Sequence, residues 1–162
     1  MTPFLKPTND YAFRRLFGQE HNKHLLVSFL NSVLELPEGK KIVDLTYEDP
    51  SQLPRLNELK YSILDVRVKD QRNVSYIVEM QIAKQDYFEK RALYYISKNY
   101  SNQLKEGEDY IKLNPVVFLG ILDFVLLENK HFVSHHNILE KNTGEHFFKD
   151  FQLTFIEFPK FN

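Results

Sequence analysis

The order of apolar and polar positions divides the chain into helical and extended stretches. Leu25, Leu26, Phe29, Leu30, Val33 and Leu34 recur at the spacing of one helix face, and the pattern stops before Pro37. A shorter helix precedes it, capped by Thr8 or Asn9, running to about Phe17 and stopped by Gly18. Extended patterns then take over at 42–47, 61–69 and 74–82, the last two forming a hairpin, and the stretch through Pro50 and Pro54 reads as a loop. The longest helical pattern runs from 86 to 105 and ends near Gly107. Residues 115–122, rich in Val, Ile and Leu, predict a buried strand, and 131–135 and 152–158 two more. The predicted order is ααβββαβββ, an α/β sandwich or α+β arrangement.

The hairpin carries the candidate chemistry. In its first strand Ile63, Asp65, Arg67 and Lys69 share one face, and Leu64, Val66 and Val68 the other. In its second, Ser75, Ile77, Glu79 and Gln81 lie opposite to Tyr76, Val78 and Met80. A loop of Gln71-Arg72-Asn73, with Asn73 in the left-handed conformation, pairs Lys69 with Ser75, Val66 with Val78 and Asp65 with Glu79. A shorter loop would set apolar faces against polar ones. The β-carbons of Asp65 and Glu79 then stand about 5 Å apart. Two carboxylates so placed repel unless a cation or a proton lies between them. Both are embedded in apolar sequence, so a metal site accounts for them better than a solvated strand face does.

Composition narrows the choice. With 162 residues, 43% of them hydrophobic, the chain is long enough for one core, and 1–162 reads as a single domain. The absence of cysteine excludes disulfides and thiolate ligands, leaving oxygen or imidazole donors and favouring a hard cation. A net charge of −1 argues against a protein that grips phosphate backbone through a broad basic field. Any nucleic-acid binding would be local or transient; basic residues cluster modestly at Lys40-Lys41, around Arg67, Lys69 and Arg72, and at Lys90-Arg91. No signal core and no run of membrane-spanning length is present, so a cytoplasmic location and no membrane partner are expected. His131, His135, His136 and His146 lack the spacing of a zinc helix and read as exposed loop residues. Tyr87, Tyr94, Tyr95 and Tyr100 offer base-stacking surfaces, but on a long helix they are expected to pack in the core. Walker, nucleophile-elbow and Rossmann signatures are absent. The sequence stops at Pro159-Lys160-Phe161-Asn162, directly after a strand, which suggests either a fragment or a short version of a longer protein.

At these residues the sequence resembles the PD-(D/E)XK nuclease superfamily, and within it the Rpn family of recombination-promoting nucleases and transposases. Ser62-Ile63-Leu64-Asp65-Val66 is similar to the first motif and Val78-Glu79-Met80-Gln81 to the second. The likeness continues in Asn9-Asp10-Tyr11-Ala12-Phe13, Leu16-Phe17-Gly18, Leu26-Val27-Ser28-Phe29-Leu30-Asn31, Arg91-Ala92-Leu93-Tyr94-Tyr95 and Gly107-Glu108-Asp109-Tyr110. It implies a restriction-endonuclease-like core, a mixed β-sheet flanked by helices with αβββαβ order. It also implies an endonuclease that hydrolyses DNA phosphodiesters with Mg²⁺, or Mn²⁺ in its place, in recombination or transposition. Asp65 and Glu79 would be metal ligands, with the backbone carbonyl of Met80 as a third. Gln81 occupies the position of the superfamily lysine, and so can orient by hydrogen bonding but supplies no charge. Arg91, paired with Tyr95, resembles a QxxxY element and is a candidate to supply that charge, against the alternative of a solvated helix residue; Lys84 and Lys90 are weaker candidates. Asp10 matches a position that is often acidic near the metal, against the alternative of complementing a helix N-terminus. Cutting both strands would suit a homo-oligomer. The competing expectation is a catalytically inactive nuclease-fold module that binds nucleic acid or a protein.

Overall fold

The computed structural model describes residues 10–49, 51–52, 62–63 and 65–161. Helix α1 (Asp10–Phe17) ends where foreseen, the Gly18 N–H bonding to the Arg14 carbonyl at 2.8 Å. A β-carbon on Gly18 would stand 2.6 Å from that same oxygen, so only glycine fits this stop. Helix α2 (Lys23–Val33) buries Leu26 and Leu30 completely. The rings of Phe13, Phe17 and Phe29 lie in a row with centroids 5.1 and 5.2 Å apart, and they lock α1 onto α2.

Six strands form one mixed sheet in the order β1-β4-β5-β6-β8-β7: β1 (Leu45–Tyr47), β4 (Val66–Asp70), β5 (Ser75–Gln81), β6 (Val116–Leu122), β7 (Val133–Asn137) and β8 (Phe151–Glu157). A separate short pair consists of β2 (Ser51–Gln52) and β3 (Ser62–Ile63). Counting the main sheet alone, the observed order is the predicted ααβββαβββ. Strands β5 and β6 are parallel, which requires a crossover, and α3 (Phe88–Ser101) provides it.

The sheet is covered on both faces. Val66, Val68, Tyr76, Val78, Met80, Leu119 and Ile121 pack with Phe13, Leu26 and Leu30 of α1 and α2. On the opposite face Ile77, Phe118, Leu122 and Phe155 pack with Phe88, Ala92 and Ile96 of α3. Each large side chain so buried contributes roughly 1.5–3 kcal/mol, and two such layers hold β5 rigid. Every β5 residue except Gln81 is buried, which removes the solvated-face reading of the Glu79 side.

Several boundaries differ from those the sequence pattern predicts, among them the strand expected over 131–135, which is displaced to Val133–Asn137. The strand expected over 42–47 is shortened to β1 because the Asn31 side chain takes both backbone groups of Ile42, at 2.7 and 2.9 Å, out of any ladder. The loop through Pro50 and Pro54 contains β2, and the strand over 61–69 is broken into β3 and β4 with a bend at Asp65. The long helix starts later, because Tyr87 takes a left-handed conformation at φ 61°, and it ends earlier, with Asn102 as C-cap. His135 and His136 lie on β7 rather than in a loop, His135 Nδ1 bonding to Thr154 Oγ1 at 3.0 Å. Tyr95 and Tyr100 are half-buried as expected, whereas Tyr87 and Tyr94 are exposed.

Candidate metal and active site

The β4-β5 turn fixes the site's geometry. Asn73 has φ 63°, the left-handed conformation the three-residue loop demands, and the ladder pairs Lys69 with Ser75 and Val66 with Val78. It ends there. At the next step Asp65 bends away, and side chains replace the backbone pairing: the Asp65 N–H donates to Glu79 Oε1 at 3.1 Å, and the Met80 N–H donates to Asp65 Oδ2 at 2.8 Å. Asp65 thus faces Glu79 as the register required, but from a bend rather than from a continuous strand.

Glu79 is 4% exposed, on the α3 side of the sheet. Burial raises its carboxyl to about 8, and the neighbouring Asp65 charge adds to the rise. The Asp65 N–H and the charges of Arg91 and Arg14 oppose it without cancelling it. The backbone N–H and carbonyl of one strand residue point to the same edge. Since the Met80 N–H reaches Asp65, the Met80 carbonyl also points to the β4 edge, beside both carboxylates. Two carboxylates and a carbonyl suit Mg²⁺, which takes few protein oxygens and retains waters. Among the described residues no group of three or more acidic, His or Cys side chains offers an alternative centre.

Two arginines flank the acids. Arg91, in the first turns of α3, hydrogen-bonds Gln85 Oε1 and stands over the rings of Phe88 and Tyr95, at 5.6 and 5.9 Å from their centroids. Arg14 was not foreseen. Its Nε and Nη2 both donate to Asp65 Oδ1, at 2.9 and 2.7 Å. Nothing in the sequence pairs two residues 51 positions apart, and an arginine beside the apolar stripe of an amphipathic helix reads as a solvated charge. Gln81 ends β5, half-buried, its backbone carbonyl accepting the Asp123 N–H at 2.9 Å. Asp10 opens α1, but its side chain lies outside the described residues.

Residues 7–162 match the family model described as PD-(D/E)XK nuclease family transposase. The chain belongs to that family. No curated protein and no solved structure matches it. The family is one of nucleases, so a nuclease-like function acting on nucleic acid follows from membership, and the family generally uses divalent metals. The six-stranded mixed sheet with helices on both faces agrees with the PD-(D/E)XK nuclease core. No helix among the described residues is long and apolar enough to cross a membrane.

Proposed function

We propose that this PD-(D/E)XK chain is a Mg²⁺-dependent DNA endonuclease, acting in recombination or transposition as its likeness to the Rpn branch suggests. The observation that carries the reading is the convergence of Asp65, Glu79 and the Met80 carbonyl on one edge of β5, with Glu79 buried far beyond what a solvated carboxylate tolerates. A bound Mg²⁺, or Mn²⁺ in its place, would polarise the phosphodiester and activate the attacking water. Asp65 and Glu79 would hold the cation, and the Met80 carbonyl would complete the protein's share of the ligands. Arg91, kept beside Glu79 by Gln85 and two ring faces, supplies positive charge near the site, while Gln81 at the end of β5 donates hydrogen bonds to the nucleophile or the phosphate. Water attacks phosphorus and gives up a proton to solvent, the P–O bond to the leaving strand breaks, and the leaving oxygen takes up a proton from solvent.

Plasmid nicking in Mg²⁺ and Mn²⁺ tests this. Asp65→Asn and Glu79→Gln abolish nicking while keeping the melting temperature of the parent within a few degrees; nicking at parental rate by either variant overturns the site. Gln81 in place of the lysine favours a second reading, a nuclease-fold module that binds without cutting. That reading predicts no nicking by the parent and no rise in its melting temperature with millimolar Mg²⁺.

A further inference from the structure

We propose that Arg14 is a gating and positioning residue of the cation site, resting on Asp65 when the cation is absent and moving to a backbone phosphate of the nucleic acid when the cation takes its place. The inference rests on the metal-site reading above. Asp65 has two carboxylate oxygens: Oδ2 receives the Met80 N–H, and Oδ1 receives both donors of Arg14. Arg14 takes both lone-pair positions of Oδ1, so a cation that uses this oxygen, alone or together with Oδ2, displaces the arginine. Two nitrogens on one oxygen is not the fork-to-fork pairing that uses both carboxylate oxygens, and it leaves Nη1 outside the pair.

The two partners are unequally held. The Asp65 side chain is 7% exposed and pinned by the strand, whereas that of Arg14 is 51% exposed and tied to the site by this contact alone among the described residues. Its backbone is fixed, since Phe13 beside it is buried and Gly18 closes the helix on the Arg14 carbonyl. Displacement thus swings a long side chain about a stationary helix. The freed guanidinium stays within its own length of Asp65, where a scissile phosphate must approach the bound cation, and a planar guanidinium is suited to phosphate oxygens. Arg15 cannot take over this task. It is engaged along α1 itself, bonded to Tyr11 Oη at 3.0 Å and placed over that ring. Arg91 is likewise engaged, on Gln85 and two aromatic rings. Among the described residues, Arg14 is the cationic side chain with both a seat on the site and room to leave it.

Two measurements on the intact chain test the proposal without using turnover. In calorimetric titration with Mn²⁺, Arg14→Gln binds the ion several-fold more tightly than the parent, because the competing charge is gone, and Arg14→Lys falls between. In fluorescence anisotropy with a short DNA duplex and Ca²⁺, the parent binds several-fold more tightly with the ion than without it. Arg14→Gln loses most of that gain, and Arg14→Lys regains part. Unchanged or weaker Mn²⁺ binding by Arg14→Gln overturns the gating role, and an undiminished Ca²⁺-dependent gain overturns the phosphate role. Asp65→Asn separates this outcome from failure of the site itself. If the parent's Mn²⁺ binding survives Asp65→Asn, the metal-site reading fails and takes the proposal with it. If Asp65→Asn abolishes binding and Arg14→Gln leaves it unchanged, only the arginine proposal falls.

Discussion

The backbone N–H of Asp65 donates to Oε1 of Glu79, so the two acids are joined by a hydrogen bond from the main chain of one to the side chain of the other. The Asp65 carboxylate meanwhile accepts the N–H of Met80, the residue after Glu79. Each acid thus fills a place that a continuing β-ladder would have filled with backbone. The consequence is a strand that ends where the carboxylates meet, with the Met80 carbonyl left on the same edge.

The buried Glu79 carboxyl makes the cation-free protein sensitive to alkali. Its ordinary value of 4.5 is raised to about 8 in the fold. The folded state therefore holds the proton more tightly than the unfolded chain. Its stabilising contribution is fully present below about 4.5 and is lost as the pH rises through about 8. At roughly 1.4 kcal/mol per unit, the loss amounts to the order of 5 kcal/mol. In EDTA, urea midpoints of the parent fall across this window, while those of Glu79→Gln, which stays neutral, fall less. Identical pH profiles for the two proteins would exclude Glu79 as the source. Added Mg²⁺ is expected to flatten the parent's profile as well, by favouring the ionised carboxylate.

What the sequence made legible follows from what is periodic in it. The pairing of Val66 with Val78 was readable because the alternation of apolar and polar residues and a left-handed Asn73 admit one register. The two-sided burial of β5 was readable only in part: the apolar neighbours of Glu79 argued against a solvated face, but the cover that α3 lays over Ser75 and Glu79 is a tertiary fact. The bend at Asp65 depends on side chains bonding to backbone, which leaves no periodic trace. The shortening of β1 has the same kind of cause in Asn31. Arg14 was hidden for a further reason: its partner lies on another element, and the closeness of α1 to the strand end is a tertiary fact.

Gly120 keeps the sheet beside Glu79 free of a side chain. It pairs in register with Glu79 on one side and with Phe155 on the other. A β-carbon there would lie 2.8 Å from Phe155 Cδ1 and 3.3 Å from Phe118 Cε1, in the layer under α3. Those rings already pack with each other and with Phe88 at centroid distances of 6.0 to 6.3 Å, so they have little space into which to retreat. Gly120→Ala should cost about 1–3 kcal/mol in chemical denaturation, the usual range for overpacking a core. An unchanged or raised stability would show that the aromatic layer yields more easily than its packing suggests.

At the other end of the hairpin, Asp70 closes the turn that sets the site's register. Its carboxylate is fully buried and accepts the N–H groups of Arg72 and Val74, the Arg72 Nε and Nη2, and the Tyr76 hydroxyl. Arg72 Nη2 also donates to the Tyr76 oxygen, which closes the network on itself. Asp70→Ala strands a cation, a hydroxyl and two amides at once, and is expected to cost about 3–5 kcal/mol, as removal of one partner from a buried ion pair does. Tyr76→Phe removes a single donor and should cost about 1 kcal/mol. Urea denaturation of the two variants separates these cases. A loss below 1 kcal/mol for Asp70→Ala would mean that water replaces the carboxylate and that the alternation of β4 and β5 fixes the register without it. A loss of the expected size assigns to this turn the task of holding Asp65 opposite Glu79, and in that case Asp70→Ala also weakens Mn²⁺ binding under conditions where the variant remains folded.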